Sequence, residues 1–160
     1  MQLIGILHDI RSVHNVGSIF RTADGAGFAK LYLCGITPVP TDRFKKVRPD
    51  FAKVALGAEK SVAWESVPDI TELIKKLKKD SWEISALEQS KRSVSLMSDF
   101  QKKIQRGRIA LVVGNEVDGI PAAILKLVDK VLEIPMLGKK ESLNVSVAFG
   151  IAAYELQFRK

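Results

Sequence analysis

The stretch VLEIPMLGKKESLNVSVAFGIAAYEL, residues 131–156, decides how the chain is read. Val131, Leu132, Glu133 and Ile134 form a short strand that breaks at Pro135, and residues 137–141 make a polar loop. Either Ser142 or Asn144 can cap the helix that follows, because both side chains accept from the free N–H groups of a first turn. Residues 145–154 carry no charge on any face, and Gly150 with its alanine neighbours lets other backbone approach closely. A helix that is apolar all round is buried, in a core or against another subunit, and this one is too short to cross a bilayer. A strand, a capped polar loop and a buried final helix place a ligand site at the loop.

Moving outward, strands alternate with helices. Residues 3–7 read as a buried strand, and residues 8–15 as a polar loop. Asn15 can cap a helix in which Val16, Ile19, Phe20 and Ala23 share a face, ending at Gly25 and Gly27. Gly17 and Arg21 fall on the opposite face, where bare backbone beside a guanidinium suits a phosphate; a solvated surface arginine is the plainer reading. Residues 28–34 hold the next strand. Arg43, Lys45, Lys46, Arg48 and Lys53 then form a basic stretch interleaved with Phe44 and Phe51. A strand is expected at 62–64, and a helix at 70–79 capped by Asp69 and striped by Ile70, Leu73, Ile74 and Leu77. Strands at 82–87 and 109–113 flank a polar connection, 90–108, that contains Leu96, Met97 and Phe100; a proline-led helix occupies 121–128. This alternation predicts one α/β domain, residues 1–160, with a mostly parallel sheet covered on both faces.

The net charge of +7 favours a polyanionic partner, nucleic acid first. A single cysteine, Cys34, excludes a disulfide framework and a cysteine metal site, which fits a reducing cytoplasm. The N-terminal residues have no basic leader or cleavage site, so no signal peptide and no membrane segment are expected. His8 and His14 lack acidic or cysteine partners at ligand spacing, so no metal is expected.

Ligands of open parallel sheets bind beyond the carboxyl ends of strands. Three such ends carry unusual loops: Leu87 with Glu88, Gly114-Asn115-Glu116, and Ile134-Pro135-Met136. The second is the sharpest, with two glycines around an acidic turn; an ordinary strand-to-helix connection would also leave Glu116 near a helix N-terminus.

These segments resemble the SpoU (TrmH) family of RNA ribose 2′-O-methyltransferases, of the SPOUT superfamily. The first motif matches Asn15-Val16-Gly17-Ser18-Ile19-Phe20-Arg21-Thr22-Ala23, and the second matches residues 109–120 with Gly114-Asn115-Glu116 and Gly119. The third matches Ile134-Pro135-Met136 followed by Ser142-Leu143-Asn144-Val145-Ser146. Three motifs in order across nearly the whole chain make the resemblance specific. It implies an α/β sheet whose C-terminal part forms a trefoil knot, a homodimer, and S-adenosylmethionine as cofactor. By the same resemblance Leu87, Gly114, Ile134, Ser142 and Leu143, with Met136 adjacent, contact the cofactor, mainly through backbone. Arg21 is the catalytic arginine, and Asn15, Glu116 and Asn144 shape the reaction site. The chain resembles a minimal catalytic unit without an RNA-binding module, so Arg43, Lys45, Lys46 and Arg48, with Lys139 and Lys140, are expected to hold RNA phosphates. The lysines at 75, 76, 78 and 79 read as a solvated helix face. Transfer RNA is the expected substrate and ribosomal RNA the main alternative. A non-catalytic RNA-binding protein and a base-methylating relative remain open as rival readings.

Overall fold

The computed structural model describes residues 1–97 and 107–158. Among these residues seven strands form one sheet: β1 (Gln2–His8), β2 (Lys30–Cys34), β3 (Trp64–Val67), β4 (Glu83–Leu87), β5 (Val94–Ser95), β6 (Arg108–Val113) and β7 (Lys130–Glu133). Their order is β3-β2-β1-β6-β4-β7-β5, and every pairing is parallel. The helices are α1 (Val13–Gly25), α2 (Pro49–Ala55), α3 (Ala58–Ser61), α4 (Ile70–Lys79), α5 (Ala122–Leu125) and α6 (Val145–Phe158).

Strand side chains alternate between two cores, as the pleat requires. Leu3 and Leu7 of β1 join Leu111 and Val113 of β6 against α1, α2 and α6, where Phe20, Phe51 and Phe149 are fully buried. Ile4 and Ile6 face the other way, with Ala110 and Val112, against the stripe Ile70, Leu73, Ile74 and Leu77 of α4 and against Ile124 of α5. Both faces are therefore covered, as a parallel sheet of apolar runs demands. The α4 stripe and its Asp69 cap agree with the sequence reading; the Asp69 carboxylate accepts from Thr71 and Glu72 N–H.

Several boundaries differ from expectation. Ser12, not Asn15, caps α1, since its side chain accepts from Asn15 N–H and its carbonyl from Val16 N–H. The end of the basic stretch runs into α2, and α3 follows it; both are too short to show a helical period, and Pro49 opens the first of them. Val62 ends α3 rather than starting a strand, and β3 begins at Trp64. The connection at 90–108 contributes β5, while Phe100 lies outside the described residues. The helix at Pro121 is a single turn, α5, shorter than the expected 121–128. Helix α6 is not covered all round. Phe149, Ala152, Ala153 and Leu156 are buried, whereas Val147, Tyr154 and Phe158 are 50%, 48% and 62% exposed.

Candidate functional site

All strands point the same way, so the turns that follow β1, β4, β6 and β7 gather at one edge, with the N-termini of α1 and α6. A cleft of about 530 Å³ opens there. Its lining includes Leu87, Gly114, Ile134, Met136, Ser142 and Leu143, together with Glu116 and Asn144. The three strand-end loops singled out in the sequence thus converge, although they lie far apart along the chain. Apolar walls from Leu87, Ile134, Leu143 and Ala148 face a rim of carboxylates, Glu88, Glu116, Asp118 and Glu133.

The wall after β6 is a closed turn. Asn115 O accepts from Gly119 N–H at 3.0 Å, and Asn115 Oδ1 accepts from Val117 and Asp118 N–H at 2.8 and 3.1 Å. The Asn115 amide donates to Asp9 O at 2.9 Å, tying the turn to the end of β1. Gly119 has φ +66°, a conformation that favours glycine. A Cβ on Gly114 would lie 2.6 Å from Gly119 O and 2.6 Å from Ile120 Cγ1. Gly114 is therefore required by the turn itself, and not only by the space in front of it.

Glu88, named in the sequence only as part of the loop after β4 and given no role there, joins two of the loops. Its carboxylate accepts from Ile120 N–H at 2.8 Å and Gln89 N–H at 2.9 Å, while Glu88 N–H donates to Leu132 O. Gln89 Nε2 donates to Glu141 O at 2.5 Å and so reaches the loop before α6. The available signal was an acid placed directly after a buried strand.

Asn15, Glu116 and Asn144 form one chain of hydrogen bonds. Glu116 accepts from Asn15 Nδ2 at 3.0 Å and from Arg11 and Ser12 N–H at 3.1 and 3.2 Å. A carboxylate only accepts, so the Asn15 amide turns its Oδ1 outward, where it accepts from Asn144 Nδ2 at 3.1 Å. That leaves Asn144 Oδ1 to accept from Ser146 N–H at 2.9 Å. Asn144, rather than Ser142, is thereby the cap of α6. Partial burial pushes the Glu116 carboxyl up, but the bonds from Asn15, Arg11 and Ser12 outweigh it and hold its pKa below the usual carboxylate range. Cys34, buried at the end of β2, behaves oppositely: burial, with Asp9 and Asp69 nearby, pushes its thiol up to about 12, which removes it as a nucleophile.

Arg21 is exposed on α1 and does not line the cleft of its own chain. Gly17 does not share its open surface. A Cβ there would lie 2.9 Å from Val54 Cβ and 3.3 Å from Ala55 N, so Gly17 admits α2 against α1 and offers no bare backbone to a phosphate. Among the basic residues, Arg43, Lys45 and Lys46 are exposed on a turn before α2, and Lys139 and Lys140 on the loop before α6. Arg48 grips Asp50 with Nε at 3.1 Å and Nη2 at 2.6 Å, which engages the guanidinium expected to meet a phosphate. Among the described residues no group of three or more His, Cys, Asp and Glu could hold a metal, and no helix is long and apolar enough to cross a membrane.

Comparison with known proteins matches this arrangement to characterised chains. The 23S rRNA (guanosine-2′-O-)-methyltransferase RlmB of Ralstonia nicotianae is 32% identical over 96% of this chain. The chain spans 57% of that relative's length. Among solved structures, the TrmH/SpoU tRNA modifying enzyme of A. aeolicus superposes with TM-score 0.80 at 32% identity, covering 98% of this chain and 74% of that one. An AdoMet-bound rRNA methyltransferase from Sinorhizobium meliloti gives TM-score 0.80 at 25% identity, over 97% and 55%. A structure described as giving insight into 2-OH methylation of C/U34 on tRNA gives TM-score 0.77 at 27% identity, over 97% and 93%. The model of the SpoU rRNA Methylase family matches residues 2–154, and the chain belongs to that family.

Proposed function

We propose that the protein methylates a ribose 2′-hydroxyl of RNA with S-adenosylmethionine as donor. The observation that carries this reading is the convergence of three strand-end loops and the α6 N-terminus on one cleft, braced by the Glu116–Asn15–Asn144 chain. The cleft suits the cofactor in size, with apolar walls for a flat base, and its carboxylate rim favours a cation such as a sulfonium. When bound, the sulfonium supplies an activated methyl group.

The remaining work is alignment of the hydroxyl and removal of its proton. Glu116 is poorly placed to accept that proton, because Asn15, Arg11 and Ser12 occupy its oxygens. Its role in the proposal is to fix both asparagine amides, and with them the cap of α6. Arg21 acts as a clamp on the phosphate beside the reacting ribose, its planar fork stabilising the oxygen as its proton leaves to water.

Ribosomal RNA is the substrate class supported by the named function of the 32% identical RlmB relative. Transfer RNA is supported by a different observation: the chain spans 93% of the neighbour whose structure concerns C/U34 of tRNA. Two further features belong to the proposal. A trefoil knot is supported by the strand order, since β7 lies between β4 and β5, which follow one another in sequence. The 88–93 connection thus spans the end from which the chain leaves β7. A homodimer is supported by the open, uncharged face of α6 at Val147, Tyr154 and Phe158. Cytoplasmic residence accords with a buried, unpaired Cys34.

Nucleoside mass spectrometry of rRNA and tRNA from cells with and without the gene tests the reading. One 2′-O-methylated nucleoside should disappear, and the RNA that loses it identifies the substrate. Loss of no such nucleoside, with no methyl transfer by the pure protein to either RNA, overturns it.

A further inference from the structure

The turn that precedes α2 holds an aromatic ring in water. Phe44 is 67% exposed, although burial of such a ring is favourable. The backbone beneath it is held by a tight turn. Asp42 Oδ1 accepts from Phe44 N–H at 2.8 Å and from Lys46 N–H at 2.9 Å, and Asp42 N–H donates to Lys46 O at 2.8 Å. Thr41 pairs with Val47 as an antiparallel bridge beneath it, and Lys45 takes φ +61° at the tip. These bonds fix a tight turn whose residues 43–46 are all exposed.

The chemistry at the tip is specific. The Arg43 guanidinium sits 4.7 Å from the Phe44 ring centroid and backs one face of the ring. Lys45 and Lys46 are exposed beside it. An open aromatic face among three cations complements a planar group that carries negative charge. In RNA, base faces are available to a side chain only where bases are unstacked, in loops, bulges and single strands.

We propose that Phe44 is a stacking platform for an unpaired nucleobase, with Arg43 backing the ring and Lys45 and Lys46 on the adjoining phosphates. The protein would thereby prefer RNA with an unpaired loop to a plain duplex. This rests on the RNA reading given above, but it concerns recognition rather than methyl transfer.

The test compares two probes at one salt concentration: an RNA hairpin with a seven-nucleotide loop, and its stem as a blunt duplex. Binding by the full chain is measured with S-adenosylhomocysteine present. Wild type should prefer the hairpin. Phe44→Ala should weaken hairpin binding about 10-fold, within the range found for one stacked base, and abolish the preference. Phe44→Trp should keep it, while Phe44→Leu, apolar but without a ring face, should behave like alanine. None of the three removes a charge, so the slope of log affinity against log salt should stay as in wild type. Lys46→Ala should instead lower that slope by about 0.7. Melting temperatures of the Phe44 variants should match wild type, because the side chain is outside both cores. Hairpin preference that survives in Phe44→Ala or Phe44→Leu overturns the proposal while leaving RNA binding intact. Ring-dependent preference without any methyl transfer by wild type sustains the platform and sinks the methyltransferase reading. Absence of RNA binding by wild type overturns both.

Discussion

At the scale of single residues, Arg21 and Glu116 separate most clearly. Arg21 is exposed and opposite the buried stripe of α1, so Arg21→Ala should leave melting temperature and cofactor affinity unchanged. Labelled methyl transfer to bulk RNA should fall by orders of magnitude, since the charge acts mainly as the proton leaves. Arg21→Lys should rescue little, because one ammonium does not reproduce a planar fork on phosphate. Wild-type transfer by Arg21→Ala would return this residue to the status of a solvated arginine. Glu116→Gln should instead cost stability, on the order of 1 kcal/mol at neutral pH, by turning an amide donor toward backbone N–H groups. Its pH dependence has a definite sign. The folded pKa of Glu116 is depressed, so its contribution is complete above the unfolded value and is lost as pH falls through the folded one. The stability gap between wild type and Glu116→Gln should hold from neutral pH down to the unfolded carboxyl value of about 4.3 and then close as pH falls further; a gap that widens on acidification contradicts the assignment. The sequence offered Asn15 as a cap because asparagine is a good one. It is not the cap here because the helix already begins at Ser12, while the Asn15 side chain reaches Glu116 and Asn144, 101 and 129 residues away, and no local signal encodes those distances.

At the scale of elements, legibility followed length and period. Helix α4 was readable to its ends because Asp69 caps it and four apolar residues recur on one face. Helix α2 was not, since only Phe51 and Ala55 of its short span are buried and the surrounding charges hide them. Its docking on α1 depends on Gly17, which makes a further prediction. Gly17→Ala would gain about 1 kcal/mol of helix propensity, but the new methyl meets Val54 and the backbone of Ala55, and such overpacking costs roughly 1–3 kcal/mol. Net destabilisation of about 1 kcal/mol is expected in urea unfolding, with Phe20 and Phe51, now 5.2 Å apart edge-to-face, as the pair disturbed. A stabilised variant would mean that α2 yields at little cost. The cleft loops were legible as three separate oddities; that Glu88 fastens two of them was not, because its partners are backbone N–H groups with no signature in the sequence.

At the scale of the whole molecule, the open face of α6 predicts association. Sedimentation at micromolar concentration should report about twice the 17.7 kDa chain mass, and Val147→Glu, which sets a charge on that face, should give a monomer. Helices α1 and α6 pack against each other, so a dimer joined through α6 also carries α1, and Arg21 with it, to the partner. The monomeric variant should therefore bind S-adenosylmethionine yet transfer little methyl, and a fully active monomer would remove the dimer from the mechanism. The strand order has another consequence, which concerns time rather than space. On the ribosome the sheet cannot be completed in the order of synthesis: β1 waits for β6, β4 for β6 and β7, and β5, which among the described residues pairs with β7 alone, waits until residues 130–133 are made. Pairings of such long sequence separation form slowly. The wall that Ser142, Leu143 and Asn144 give the cleft comes later still, so a nascent chain has no complete cleft until the segment leading into α6 has been made.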